Sequence, residues 1–142
     1  MLHVLIHMAD HEGPLTSDAI AEMLDTPAAM VRRMMGGLRA HGIVASSKGH
    51  GGGWRLTQPL AEITMLDIYE ALGAPAIFAL APASENPTCL VEQAVDARLR
   101  GAFERAAGAL REELRATNLA QVAGDFERQR AKVGETRAAR DG

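Results

Sequence analysis

Residues 26–56 read TPAAMVRRMMGGLRAHGIVASSKGHGGGWRL, and this stretch decides the fold. Thr26-Pro27 is a helix start: a capping side chain is followed by proline at the first helical position, where its missing N–H costs nothing. The spacing predicts a helix from there to about Ala40, stopped by Gly42. Ile43 to Ser47 then reads as a strand, Lys48 to Gly53 as a glycine-dense turn, and Trp54 to Leu56 as a returning strand. The helix therefore runs straight into a β-hairpin. Upstream, Met1 to about Asp10 reads helical, with Leu2, Leu5, Ile6 and Ala9 recurring until Gly13-Pro14 breaks the pattern. A second helix begins near Thr16 or Ser17, buries Ile20, Met23 and Leu24, and ends near Asp25, leaving only a tight turn before Thr26. Two helices joined so closely, with a hairpin appended, outline a winged helix-turn-helix.

Pro59 closes the hairpin, and Thr64 caps a fourth helix from Met65 to about Leu72 that packs Leu66, Ile68, Tyr69 and Leu72. Residues 73–88 loosen into an Ala- and Pro-rich linker or lid whose apolar content is Ile77, Phe78 and Leu80. Beyond it Val91, Val95, Leu99, Phe103, Ala106, Leu110 and Leu114 step by four or three, with charged residues on the other faces. Roughly 27 residues at 1.5 Å each make a rod of about 40 Å, longer than the small domain beside it can cover. The expectation is that a second chain covers the stripe. A short helix from Leu119 to Phe126 follows, and residues 127–142 hold too little apolar content to order themselves. The predicted fold is thus mainly α: a winged helix-turn-helix domain at 1–72, a linker at 73–88, dimerisation helices at 89–126 and a disordered tail at 127–142.

At 142 residues the chain is one domain by the usual prior of roughly 100–200 residues each. With 47% hydrophobic residues it can bury a core, while 4% aromatics and one cysteine exclude a disulfide scaffold and an aromatic-lined sugar site. Met1-Leu2-His3-Val4 lacks the basic region of a signal peptide, and no run approaches the ~18 apolar residues of a membrane span, so a cytoplasmic protein without a membrane partner is expected.

A net charge of −3 does not favour nucleic acid, so the distribution decides. Residues 1–25 hold five acids and no Lys or Arg. Residues 26–58 hold Arg32, Arg33, Arg39, Lys48 and Arg55 and no acid, as a surface facing phosphates requires. On the third helix Val31, Met35 and Leu38 point together, Ala29, Arg33, Gly36 and Ala40 point away from them, and Arg32 and Arg39 lie on a flank. In a major groove the Arg33 guanidinium could donate two hydrogen bonds to guanine O6 and N7, with the flanking arginines meeting phosphates. Lys48 and His50 at the hairpin tip and Arg55 on its return strand suit a wing touching the minor groove or backbone.

Competing readings of the same residues are weaker. A phosphate-cradling loop needs Gly-Lys-Ser/Thr opening a helix, whereas these glycines lead into Trp54 and a strand. His50-Gly51-Gly52-Gly53-Trp54 matches an esterase oxyanion loop, but the Gly-x-Ser-x-Gly nucleophile elbow is missing, and no enzyme is expected. His3, His7 and His11 share one face of the first helix, yet no carboxylate or cysteine is placed to complete a metal site, so no metal or cofactor is assigned. Cys89, at the start of the long helix, is a candidate redox or electrophile sensor because a helix N-terminus lowers a thiol pKa. A winged-helix protein-interaction module without DNA contact is the alternative from another class.

Taken together, Ala21-Glu22-Met23-Leu24 before the Thr26-Pro27 start, the helix Val31 to Arg39, the wing Lys48 to Leu56 and Ile63-Thr64-Met65-Leu66-Asp67-Ile68-Tyr69 resemble the Rrf2 family of bacterial transcription regulators, over residues 1 to about 120. The resemblance implies a homodimer on double-stranded DNA, a repressor or activator, with a winged helix-turn-helix at each end and crossed long helices between. It places the reading helix at Thr26 to Leu38 and the wing at Lys48 to Arg55. Members that hold an iron–sulfur cluster use three cysteines before the dimer helix. Only Cys89 stands here, so the chain looks like the branch without a cluster, its small-molecule or redox effector unspecified. The family's first helix also starts earlier, so Met1 falls partway into it.

Overall fold

A computed structural model describes residues 1–49, 51–77 and 89–138, with side chains through Lys132. The order is α1 (Leu2–Asp10), α2 (Ser17–Leu24), α3 (Ala28–Ala40), β1 (Val44–Ser47), β2 (Gly53–Leu56), a 3-10 turn at Leu60–Glu62, α4 (Met65–Ala71), α5 (Leu90–Ala116) and α6 (Leu119–Ala138). Side-chain caps start three of the six α-helices. Thr16 caps α2 by accepting from the Ala19 amide at 3.1 Å. Thr64 and Asp67 form a reciprocal capping box on α4, the Thr64 amide donating to Asp67 Oδ2 at 2.8 Å and the Asp67 amide to Thr64 Oγ1 at 3.1 Å. Asn118 and Gln121 close the same kind of box on α6, both bonds at 2.9 Å.

The α2–α3 turn is as tight as the sequence predicts, but its mechanism differs. Asp25 ends α2 in the left-handed region, φ 47° and ψ 51°, and α3 opens at Ala28, with the Pro27 carbonyl accepting from Met30 and Val31. Thr26 does not cap α3. Its hydroxyl donates to the Leu24 carbonyl at 3.0 Å, which locks the turn instead.

One core gathers Val4, Leu5 and Met8 from α1, Ile20 from α2, Val31, Met35 and Leu38 from α3, Ile43 and Val44 at the hairpin, and Ile63, Ile68 and Ala71 around α4. Leu119 is fully buried among them, so the core does not close at residue 72. Leu119 is drawn in by two backbone bonds of 2.9 Å, its amide to the Ile63 carbonyl and the Met65 amide to the Thr117 carbonyl. That clasp pins the α5–α6 joint to the winged-helix body. Other faces shift by one position: α1 buries Val4 and Met8 rather than Ile6 and Ala9, Met23 is exposed on α2, and Ala71 takes the inward place expected of Leu72.

The segment beyond Phe126, expected to be disordered, continues α6 to Ala138. Its Arg, Glu, Gln and Ala residues are good helix formers, and Arg128–Asp125 and Arg130–Glu127 pair at i, i+3, so propensity supplies order where burial does not. Residues 78–88, with Phe78 and Leu80 of the expected linker, lie outside the described residues.

Candidate nucleic-acid interface

Helix α3 is held from two sides. On the body side Gly37 meets α4 so closely that a Cβ there would lie 2.2 Å from the Ala71 carbonyl oxygen. On the wing side Arg39 donates to Ser46 Oγ at 3.3 Å, and its guanidinium lies 6.0 Å from the Trp54 ring centroid. Arg39 therefore braces α3 against the hairpin as well as adding charge, a role its sequence neighbours do not reveal.

The hairpin pairs Val44 with Leu56, Ala45 with Arg55, Ser46 with Trp54 and Ser47 with Gly53. Side chains alternate across a strand, so Val44, Ser46, Trp54 and Leu56 share one face, of which Val44 is buried, Trp54 and Leu56 half-buried and Ser46 exposed, and Arg55 lies exposed on the other face with Ala45. Trp54 is the hinge pin of the wing. Its backbone exchanges bonds of 2.9 and 2.8 Å with Leu15, and its indole N–H donates to Ser17 Oγ at 3.0 Å. The neighbouring Gly53 allows this approach, since a Cβ there would stand 2.6 Å from the Leu15 carbonyl oxygen. At the tip Gly51 takes φ +78°, a region that side chains resist.

On this frame Ala29, Arg32 and Arg33 are exposed on α3, with Met30 beside them at 48% exposure. Lys48 is exposed at the end of β1 and Arg55 on β2. His50 lies outside the described residues. Thr26 is half-buried and occupied with the turn. Among the described residues, Arg32, Arg33, Lys48 and Arg55 meet no carboxylate, whereas Arg111, Arg115, Arg128 and Arg130 on α5 and α6 are each ion-paired. Arg98, Arg100 and Arg105 on α5 likewise meet no carboxylate among the described residues, but only α3 and the hairpin combine such cations with a stretch of sequence that holds no acid, which is what a polyanion needs. Gly36, between Arg33 and Ala40 on the outward face, has open space where a Cβ would be, so the helix backbone itself is approachable.

The remaining candidates separate from this surface. Cys89 is exposed at the N-cap of α5, and the amides of Glu92 and Val91 hold its thiol below the usual range. His3 and His7 stand edge to face, ring centroids 6.2 Å apart, but α1 ends at Asp10, and His11 turns to the Gly13 carbonyl. Along α5, Val91, Val95, Leu99 and Leu110 are exposed, Phe103 and Leu114 half-buried, and no residue of the helix is buried. Among the described residues no helix is long and apolar enough to cross a membrane.

A family model described as Rrf2, iron-dependent transcriptional regulator, matches residues 1–125. The HTH-type transcriptional regulator YwgB of Bacillus subtilis (strain 168) is 38% identical over 61 residues, 43% of this chain and only 39% of that relative's length. The crystal structure of a transcriptional regulator from Lactobacillus plantarum superposes with a TM-score of 0.77 at 19% identity, covering 97% of this chain and 94% of that one. CymR, the global cysteine regulator of B. subtilis, gives 0.62 at 26% identity, covering 87% and 89%. The iron of the family description does not fit the donors present. Cys89 is the chain's single cysteine, and among the described residues no three His, Cys, Asp or Glu side chains gather to hold a metal. With the helix-turn-helix, the hairpin wing and the long helix all in place, the chain belongs to the Rrf2 family of transcriptional regulators.

Proposed function

We propose that this chain is a sequence-specific DNA-binding regulator, a repressor in its simplest mode, that acts in the cytoplasm as a homodimer on a palindromic operator. The observation that carries the reading is the set of exposed cations on α3 and the wing that no carboxylate neutralises among the described residues. Arg33 reads guanine in the major groove, Arg32 and Arg39 meet phosphates, Ala29 and Gly36 let the helix approach, and Lys48, His50 and Arg55 serve the wing. Occupying phosphates would block polymerase access, which is why repression is the simplest outcome. The apolar side of α5, carrying Val91, Val95, Leu99, Phe103, Leu110 and Leu114, supports pairing with a second copy, and a two-fold pair reads inverted half-sites.

Selection of bound duplexes from a random pool tests this at once. An inverted repeat with guanine in each half is the expected result. Recovery of no enriched motif would leave the protein-interaction module as the better account. A second reading, regulation through Cys89, is favoured by the exposed thiol held in its more ionised form by the α5 amides. Peroxide should then change operator affinity of the native chain and leave Cys89→Ser unaffected.

A further inference from the structure

Among the described residues, the large apolar side chains left exposed fall into three groups. Leu90, Val91, Val95, Leu99 and Leu110 lie along α5, and Leu72 and Phe126 border an apolar cavity of about 700 Å³ between α1, α4, α5 and α6. The third group, Met23 and Met30, lies on the helix-turn-helix. Met23 on α2 follows Glu22 in the acidic stretch 1–25, whereas Met30 stands in the first turn of α3, inside the acid-free stretch 26–58. At 48% exposure Met30 is apolar surface set among cations. At about 100° per residue it lies about 60° around α3 from Arg33, on the side away from Arg32, and about 4.5 Å nearer the helix N-terminus. The buried stripe of Val31, Met35 and Leu38 is about 100° further round. Met34, one turn on along the same side, packs against the core, so Met30 is the methionine of α3 that reaches outward.

We propose that Met30 reads the C5-methyl group of a thymine in each half-site, within about two base pairs of the guanine that Arg33 reads. The proposal rests on the DNA-binding reading and names a second base in its operator. In the major groove the thymine methyl is the apolar feature that separates A·T from the other base pairs, and an apolar side chain is what recognises it. Met30 has no charge and no side-chain N–H or O–H, so a phosphate gives it nothing to bind. The cations around it and the lack of any acid nearby in the sequence suit a polyanion better than the apolar face of another protein. Spacing supports the choice of base. A rise of about 4.5 Å from Met30 to Arg33, against about 3.4 Å per base pair, sets the two side chains one to two steps apart along the groove. Small neighbours support it as well: Ala29 is exposed, and Gly36 has open space where a Cβ would be, so the helix can seat deeply enough for Met30 to touch a base edge. Its unbranched thioether has the freedom to follow the methyl.

The test takes the duplex that the native chain selects from a random pool and replaces each thymine in turn by deoxyuridine, which removes the C5-methyl and leaves every hydrogen-bonding group in place. Gel shifts at fixed salt compare the native chain with Met30→Ala, Met30→Leu and Ala29→Gly. Loss of one buried methyl should weaken the native complex about fourfold at one thymine per half-site, and about fifteenfold when both are replaced. Met30→Ala should bind the unmodified operator at least fourfold more weakly than the native chain, bind random duplex as well as it does, and be indifferent to deoxyuridine. Met30→Leu, which keeps an apolar contact, should retain the dependence on the methyl. The proposal is overturned if deoxyuridine costs nothing at any thymine, if its cost survives in Met30→Ala, or if Ala29→Gly abolishes that cost while Met30→Ala does not. An equal loss on operator and random duplex for Met30→Ala also overturns it, because Met30 would then act on the fold. In each of these cases the DNA-binding reading stands, since an operator was selected. A native chain that selects no duplex overturns both.

Discussion

Two adjacent glycines on α3 should respond very differently to the same substitution. At Gly36 an added Cβ meets nothing within 4 Å, so Gly36→Ala gains only the helix propensity of alanine, about 1 kcal/mol. At Gly37 the same methyl would sit 2.2 Å from the Ala71 carbonyl oxygen and 3.3 Å from its carbon, where ordinary contact begins at 3.4 Å. The obstacle is backbone, in a helix held by the Thr64–Asp67 box and the Arg111–Glu70 pair, so it cannot swing aside as a flexible side chain would. Relief requires α3 and α4 to part by about 1 Å, and overpacking of this kind costs roughly 1–3 kcal/mol. Gly37 gains the same propensity, so the two variants should differ by the overpacking cost alone, about 1–3 kcal/mol in urea unfolding, with the Gly37→Ala midpoint below that of Gly36→Ala at similar slope. Operator binding adds a second readout. Gly37→Ala shifts the reading helix relative to the wing and should weaken the specific complex, while Gly36→Ala should weaken it despite the gained stability, because its methyl occupies the approach to the groove. A Gly37→Ala protein as stable as Gly36→Ala would refute the close packing of α3 on α4.

Other outcomes follow from the same geometry. Arg33→Ala should cost about 1–3 kcal/mol on the selected operator and much less on random duplex, whereas Lys48→Ala should weaken both alike; gel shifts at fixed salt compare them, and equal losses for Arg33→Ala would remove its reading role. Ser17→Ala leaves the Trp54 indole N–H without its partner and should cost about 1 kcal/mol in thermal unfolding, with indole fluorescence changing while helix content does not. Thr64→Ala removes one half of the α4 capping box and should destabilise by about 1 kcal/mol, read by the same unfolding assay. Because the Cys89 thiol is lowered, it is more ionised than a free thiol at any pH below its ordinary value, so its alkylation by iodoacetamide should begin to accelerate at lower pH than that of a free cysteine. Coincident pH profiles would count against the influence of the α5 amides.

What the sequence by itself determined was set within a few residues of each feature. Thr16 and Thr64 start helices because a hydroxyl reaches an amide of the first turn, Pro59 and the glycine run bound the hairpin, and the block of cations at 26–58 is plain in the order of residues alone. The inward face of α1 was not legible. Leu2, Val4, Leu5, Ile6 and Met8 are all apolar, so periodicity offers more than one stripe, and only the neighbours of α1 select Val4, Leu5 and Met8. The extension of α6 is not legible in the apolar pattern for a different reason: propensity and side-chain pairs, not burial, order it. Tertiary structure alone decided that Arg39 braces the wing, that Leu119 completes the core, that Gly36 and Gly37 differ, and that a cavity opens where α1, α4, α5 and α6 meet. The physical reason is shared. Caps and turns are formed between near neighbours in the chain, whereas a face, a clash or a cavity belongs to groups that the fold brings together from distant positions.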